Sequence, residues 1–225
     1  KGNLSVKRRG LSGTGNASYG YYSGGYNVVP GGNNWVSSID RIDYSNDSPT
    51  ATPKGNLSQT RSRGSATGNQ SYGYAVGGEG SNNDGLSTVD RIDFANDTAT
   101  AATKGPLTYT ARGYSGFSAR ANALQGTPSF IPRIRWFDNA TEGTPITQGP
   151  AFGYFGGGSY PSVSNYTSSV DRIDYGNDTS TAAPKGNLSR TTQNHGGASS
   201  RTGGYFFGRY PSATHVDRID YSNDT

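Results

Sequence analysis

The sequence predicts an all-β protein assembled from repeated four-stranded units, and three observations carry that expectation. Glycine supplies 34 of 225 residues and tyrosine 16, while Leu, Ile, Val and Phe together supply only 32. That apolar supply is thin for one large interior, yet a net charge of +4 is too modest for a disordered, self-repelling chain. Tyrosines spaced among glycines suit short strands held by ladder hydrogen bonds and amphipathic rings. Second, a nine-residue stretch of the form "DRIDYSNDT" recurs with small changes at Asp40, Asp90, Asp171 and Asp217. Third, no segment combines a helical apolar period with helix caps.

The repeat defines the elements in order. "KGNLS" stands at Lys1, Lys54 and Lys185, with "KGPLT" at Lys104, so the Lys-Gly steps are 53, 50 and 81 residues. The chain therefore reads as one repeat domain over 1–225, with units at about 1–53, 54–103, 104–184 and 185–225. Strand one follows the Lys-Gly-x-Leu turn and ends at "TGN" or its equivalent. Strand two is the aromatic stretch: "SYGYYSGG" at Ser18, "SYGYAVGG" at Ser71, "FGYFGGG" at Phe152 and "GGYFFGR" at Gly203. A variable loop leads to strand three, the "STVDRIDF" type. Strand four is the Thr/Ala-rich run such as "TATAAT" at Thr98–Thr103.

The 81-residue step holds an irregular insert near 119–151, where Pro132–Ala151 can be laid over the repeat with Arg133 and Ile134 in the Arg and Ile places. Too few residues remain before Phe152 for a full unit. The count is four clear units, with a worn, degenerate fifth as an open reading of the insert. Four strands per 45–50 residues, repeated, predicts the blades of a β-propeller, in which each sheet buries its faces on two neighbours. A β-solenoid is the alternative, although its coils are usually shorter and poorer in hairpin turns.

These motifs resemble a known family. A double glycine ending an aromatic strand, a Val-x-Arg strand after a variable loop and a downstream Leu…Arg segment are similar to kelch-type propeller repeats. The wording "SSVDRIDYGNDTSTA…KGNLSRT" resembles repeats in virion structural proteins of marine tailed bacteriophages. Two departures stand out: Gly208-Arg209 replaces the double glycine in the last unit, and the third span is irregular. The resemblance implies a kelch-like β-propeller in a non-enzymatic virion or extracellular structural protein, a fibre or appendage component. Its partners would be other virion or appendage subunits and cell-surface glycans, and its location the virion or the cell exterior.

The DRID stretch is the tempting chemical site. Alternation puts Arg41 and Asp43 on one face of strand three, and Asp40, Ile42 and Tyr44 on the other. The same holds for Arg91 and Asp93, Arg172 and Asp174, and Arg218 and Asp220. A cluster copied into every unit is spread around the repeat and cannot converge on one substrate, so these residues are expected to be structural pins. Asp43, Ser45, Asn46 and Asp47 offer oxygens to calcium, but the glycine and distant glutamate of a calcium loop are missing. An Asx turn is the stronger reading of "SND", and no metal or other cofactor is expected. His195 and His215 lack Cys or Glu partners at ligand spacing. There is no cysteine, and no phosphate-binding or nucleophile-elbow motif.

The basic residues are scattered, so no nucleic-acid stripe is expected, and no apolar run approaches the 18 residues of a membrane span. The absence of Met and of a signal peptide suggests an internal or processed fragment. Eleven Asn-x-Ser/Thr triplets result from Asn-rich turns beside β-forming Ser and Thr.

Function is expected in the loops after the double glycine, which differ in every unit while the other turns repeat. They supply Tyr26, Asn33, Asn34, Trp35, Asn82, Asn83, Asp84, Tyr160, Tyr166, Tyr210 and His215. Flat rings beside amides suit sugars, by stacking on pyranose faces and hydrogen-bonding hydroxyls. A carbohydrate-binding lectin or adhesin is thus the alternative to a display scaffold. A propeller-fold hydrolase or lyase would need an acidic or histidine cluster that breaks the repeat, and none stands out. The basic insert, with Arg112, Arg120, Arg133, Arg135 and Trp136, reads either as a subunit-docking segment or as the decayed unit.

Overall fold

Turn residues cut the chain into short antiparallel meanders. The structure, a computed structural model, describes residues 1–29, 32–118, 152–160, 165–200, 202–208 and 214–224. The insert 119–151, with Arg120, Arg133, Arg135 and Trp136, and the loop residue Tyr210 lie outside the described residues.

The first unit contributes β1 (Arg8–Arg9), β2 (Ser12–Gly15), β3 (Tyr19–Ser23), β4 (Tyr26–Val29), β5 (Gly32–Trp35), β6 (Ser38–Asp43) and β7 (Thr52–Asn56). The second contributes β8 (Ser65–Gly68), β9 (Tyr72–Val76), β10 (Val89–Asp93) and β11 (Ala102–Lys104). The third contributes β12 (Ser115–Ser118), β13 (Phe152–Gly156), β14 (Val170–Asp174) and β15 (Ala183–Lys185). The fourth contributes β16 (Gly196–Ser199), β17 (Gly203–Phe207) and β18 (Val216–Asp220). Each unit forms its own sheet in chain order, four-stranded in the first three and three-stranded in the fourth among the described residues; β1, β4 and β5 make a separate small sheet. The fold is all-β, and no helix among the described residues is long and apolar enough to cross a membrane.

Register repeats as strictly as sequence. Tyr21 lies opposite Arg41, Tyr74 opposite Arg91, Tyr154 opposite Arg172 and Tyr205 opposite Arg218. Asn16 and Asn69 set the first hairpins, each accepting two backbone N–H groups through Oδ1 at 2.9–3.0 Å. The double glycines that end strand two have φ of 64° and 111° in unit one, 57° and 98° in unit two, and 64° and 108° in unit three. Close packing adds to that left-handed requirement. A Cβ on Gly77 would collide with the Tyr114 ring, and one on Gly157 would meet His195 at 2.5 Å.

Strand four departs from the expected Thr/Ala run. Thr98 and Ala99 are turn and bend, Thr100 and Ala101 have no regular structure, and the strand begins at Ala102 and takes in Lys104. The reason is a competing partner in the preceding sheet: Ala101 N–H donates at 2.8 Å to Asn56 O on β7 of the first sheet, and Ala182 N–H donates at 2.8 Å to Pro106 O, just past β11 of the second. The Thr/Ala segment thereby stitches neighbouring units together at its start and joins its own sheet only at its end.

The interior lies between sheets. Tyr21, Ile39, Leu57, Ala75, Ile92 and Ala101 fill the space between the first and second sheets. Tyr74, Val76, Val89, Phe155, Ile173 and Tyr175 belong to the cluster between the second and third. Phe117, Tyr154, Val170, Leu188, Phe206 and Ile219 lie between the third and fourth. Three thin layers need fewer large apolar side chains than one central core, which is how 32 Leu, Ile, Val and Phe residues suffice. The first strands of the four sheets, β2, β8, β12 and β16, neighbour one another in series.

Candidate functional site

Two sets of polar side chains stand out, one repeated and one not. The repeated set centres on the Asp of each Asn-Asp turn. Asp97 of unit two accepts from three groups of unit one: Arg41 Nη1 at 2.7 Å, Lys54 Nζ at 3.1 Å and Tyr21 Oη at 2.9 Å. Asp178 repeats this with Arg91 (2.9 Å), Lys104 (3.2 Å) and Tyr74 (2.8 Å). Asp224 repeats it again with Arg172 (2.5 Å), Lys185 (3.0 Å) and Tyr154 (2.5 Å). Each arginine also lies over an aromatic ring of its own sheet: Arg41 over Tyr19, Arg91 over Tyr72 and Arg172 over Phe152, at 4.0–4.3 Å.

Burial pushes the Asp97 carboxyl up, but hydrogen bonds from Tyr21 and Lys54 and the charge of Arg41 outweigh it and hold the pKa below the ordinary value. Asp224 is held low by the corresponding groups. Every Tyr of the set is pushed up, by burial first and then by its carboxylate partner. All these partners are spoken for, so the cluster offers no free acid, base or metal ligand. It joins one sheet to the next.

The expected intra-strand pairs divide differently. Asp43, Asp93 and Asp174 bond the backbone N–H two residues on in place of their arginines, and Asp220 accepts the same N–H, each closing an Asx turn. Only Arg218 and Asp220 meet among these pairs, at 3.1 Å, in the last sheet. On the opposite face of strand three, Asp40 meets Arg8 at 3.0 Å and Asp90 meets Arg61 at 2.7 Å, all four side chains buried.

The unrepeated set lies at the loop end, between the first and second sheets. Arg9, Gly10, Tyr26 and Trp35 of unit one face Ser62, Arg63, Glu79 and Asn83 of unit two around a groove of about 360 Å³. The β4–β5 hairpin positions the first group: Tyr26 pairs with Trp35 in register, and their rings meet edge to face at 4.8 Å. Arg9, opposite Tyr26 on β1, stands over the tyrosine ring at 5.3 Å. Trp35 Nε1 is a buried donor with no acceptor among the described residues.

On the other wall, buried Glu79 holds Arg63 at 3.2 Å and also pairs with Arg112. Arg63 has φ of 55°, at the place occupied by Gly10, Gly113 and Asn194 in the other units, with φ of 65°, 69° and 51°. These positions are linked by backbone bonds, from Arg63 N to Gly10 O, Gly113 N to Arg63 O and Asn194 N to Gly113 O. A long side chain in that conformation costs roughly 1–2 kcal/mol relative to glycine. Asn83 is also left-handed, at 61°. Arg63 thus lines the groove in a conformation unfavourable for its residue type, the pattern of a site held in a set geometry.

Of the loop residues expected from sequence, the structure brings Tyr26, Trp35 and Asn83 together. Asn34 is exposed on β5, the Asn33 side chain is not among those described, and Asn82 and Asp84 are exposed at the second loop's tip. Half-buried Tyr160 and Tyr166 belong to the third unit's loop, where Ser159 bridges to Tyr166, and neither lines the groove. His215 is exposed beside a cavity of only about 20 Å³ that His195 also lines. Burial lowers the His195 pKa to about 4. No group of three or more His, Asp or Glu among the described residues could hold a metal ion.

Sequence reasoning missed Arg9, Arg63 and Glu79. A signal was present: Arg63 replaces the Gly or Asn of its repeat position, and Glu79 is one of only two glutamates in the chain. No protein-family model matches this sequence, and no curated protein matches it.

Proposed function

We propose that this chain is a kelch-like β-propeller scaffold of a virion or extracellular appendage, and that it displays the loop-end groove between its first two sheets for binding a cell-surface ligand. Support for the scaffold half comes from the sheet-to-sheet pins, which consume the repeat's charged residues in joining units. Support for the binding half comes from one observation above the others: Arg63 occupies a left-handed position that the other units give to Gly or Asn, and its side chain reaches into a groove flanked by Tyr26, Trp35 and Asn83.

Aromatic edges, an amide and two guanidinium groups in one groove suit a sugar, with rings for its apolar faces and donors for hydroxyl or carboxylate groups. Arg9 and Arg63 outnumber Glu79, which favours an acidic sugar over a neutral one. The reading is non-enzymatic, because Glu79, the one carboxylate lining the groove, is already engaged by two arginines.

A glycan array carrying neutral and acidic sugars tests this, run with the wild-type chain and with Trp35→Ala and Arg63→Gly. Binding to an acidic glycan that both substitutions weaken at least tenfold is the expected result. No glycan bound by the wild type, or binding indifferent to both, would remove the groove as a sugar site.

A further inference from the structure

The three internal joints share one construction, and the two outermost sheet faces carry its two halves. At each joint the earlier unit supplies Tyr, Arg and a strand-three aliphatic residue, and the later unit supplies the turn Asp, an Ile and an aromatic ring. The ring stacks on the Tyr: Phe94 on Tyr21 and Tyr175 on Tyr74 at 4.7 Å, Tyr221 on Tyr154 at 5.5 Å. The aliphatic residue is Ile39, Val89 or Val170, each at most 1% exposed.

In the last sheet the same aliphatic position is Val216, 62% exposed, and Phe207 beside it is 43% exposed. Tyr205 is only half-buried, and the Arg218 side chain is 46% exposed with Asp220 of its own strand as partner. In the first sheet the ring position is Tyr44, 54% exposed, and Ile42 is half-buried where Ile92, Ile173 and Ile219 are buried. Asp47, the counterpart of Asp97, holds Lys1 at 2.7 Å but, among the described residues, neither an arginine nor a tyrosine. The Lys1 segment sits as its later copies do, with Gly2 N to Asp47 O at 2.7 Å matching Gly55 N to Asp97 O at 2.8 Å, and Asn3 O accepting from Ala51 N at 2.8 Å. Two of the three groups that an internal turn aspartate binds are therefore missing on the first face, and both stand uncovered on the last.

We infer that the last sheet's outer face is a docking surface for the first sheet's outer face of a second copy of this chain. The joint would bring Tyr205 and Arg218 of one copy to Asp47 and Lys1 of the next, with Tyr44 stacked on Tyr205 and Val216 against Ile42. Charge and shape both match, since basic Arg218 meets acidic Asp47 and the exposed rings and aliphatics face one another. Among the described residues neither face is covered by another sheet, and the two faces carry complementary halves of one joint, which points to a second copy as the occupant. Such a contact is head-to-tail, closing into a ring or extending into a filament. It uses none of the groove residues and stands apart from the sugar-binding reading.

Sedimentation analysis of the wild-type chain, Asp47→Lys and Arg218→Glu, each first shown to be folded by circular dichroism, tests the joint. Wild type is expected to sediment at twice the chain mass or more. Each variant alone should be monomeric, its dissociation constant raised at least tenfold. Mixed in equal amounts, the variants offer one another a native Arg218–Asp47 contact and a charge-reversed contact between the two substituted positions, so association should return above what either shows alone. A monomeric wild type, variants that associate as wild type does, or a mixture that stays monomeric would each overturn the inference.

Discussion

The second and third sheets hold the same buried aspartate in two ways. Asp90 on β10 has a buried arginine, Arg61, at 2.7 Å and the Ser58 N–H at 3.0 Å. Asp171 on β14 has Ala111 where the arginine would stand, and among the described residues it accepts from Thr108, through N–H and Oγ, both at 2.7 Å. Burial raises the Asp171 pKa, ahead of the opposing pull of the Thr108 hydrogen bonds. The comparison teaches that the repeat requires the acceptor, not the cation. The carboxylate ties the Lys-Gly-x-Leu-Ser/Thr turn to strand three in both sheets, and the arginine is an addition that, once present, commits its carboxylate to an ion pair.

That difference is broken most severely by Arg61→Ala, which leaves Asp90 buried without its cation. Chemical denaturation should show a loss of about 3–5 kcal/mol, the usual consequence of removing one partner of a buried pair. A loss below about 1 kcal/mol would mean that the ion pair contributes little beyond what Thr108 alone provides at Asp171.

The next effect is a pH dependence in the fourth sheet. His195 is buried and its pKa falls to about 4, against 6.5 for a free imidazole. The unfolded chain takes up a proton below pH 6.5 while the folded chain does not until about pH 4. Stability is therefore fully present above pH 6.5 and lost as the pH falls toward 4, by at most ~3 kcal/mol. His195→Tyr, which borrows Tyr114 from the same place in unit three, should flatten the stability profile over that window. An unchanged slope would assign it to other groups.

The smallest effect is expected where the cation is already absent. A raised carboxyl pKa means that Asp171 costs stability as the pH rises through its folded value. Asp171→Asn should thus be within about 1 kcal/mol of wild type at neutral pH. The same change at Asp90 strands Arg61 and should cost several times more. Equal losses at the two positions in thermal or chemical unfolding would erase the distinction between the sheets.

Much of this fold was legible in the sequence, for reasons that particular residues make plain. Strands two and three carry their own alternation and end in glycines or Asx turns, so their pairing follows from local chemistry. The partner of Arg41 was not legible in the same way. Asp43 is two residues away and on the same face, yet its carboxylate is captured by the Ser45 N–H at 2.9 Å. The arginine instead reaches Asp97, which is adjacent only once the sheets stack. The Thr/Ala run misled because its β-propensity is spent partly on a neighbouring unit. In the loops, Tyr26, Trp35 and Asn83 were visible as aromatic and amide residues, whereas Arg9 and Glu79 gain meaning only across the gap between two sheets.

The repeat's strand-three arginine and the aspartate of its Asn-Asp turn act together across the boundary between sheets. A double-mutant cycle on Arg91→Ala and Asp178→Ala, read by equilibrium unfolding, tests it most directly. Because the two side chains meet at 2.9 Å, a coupling free energy of about 1 kcal/mol or more is predicted. Losses that add to within about 0.3 kcal/mol would contradict it.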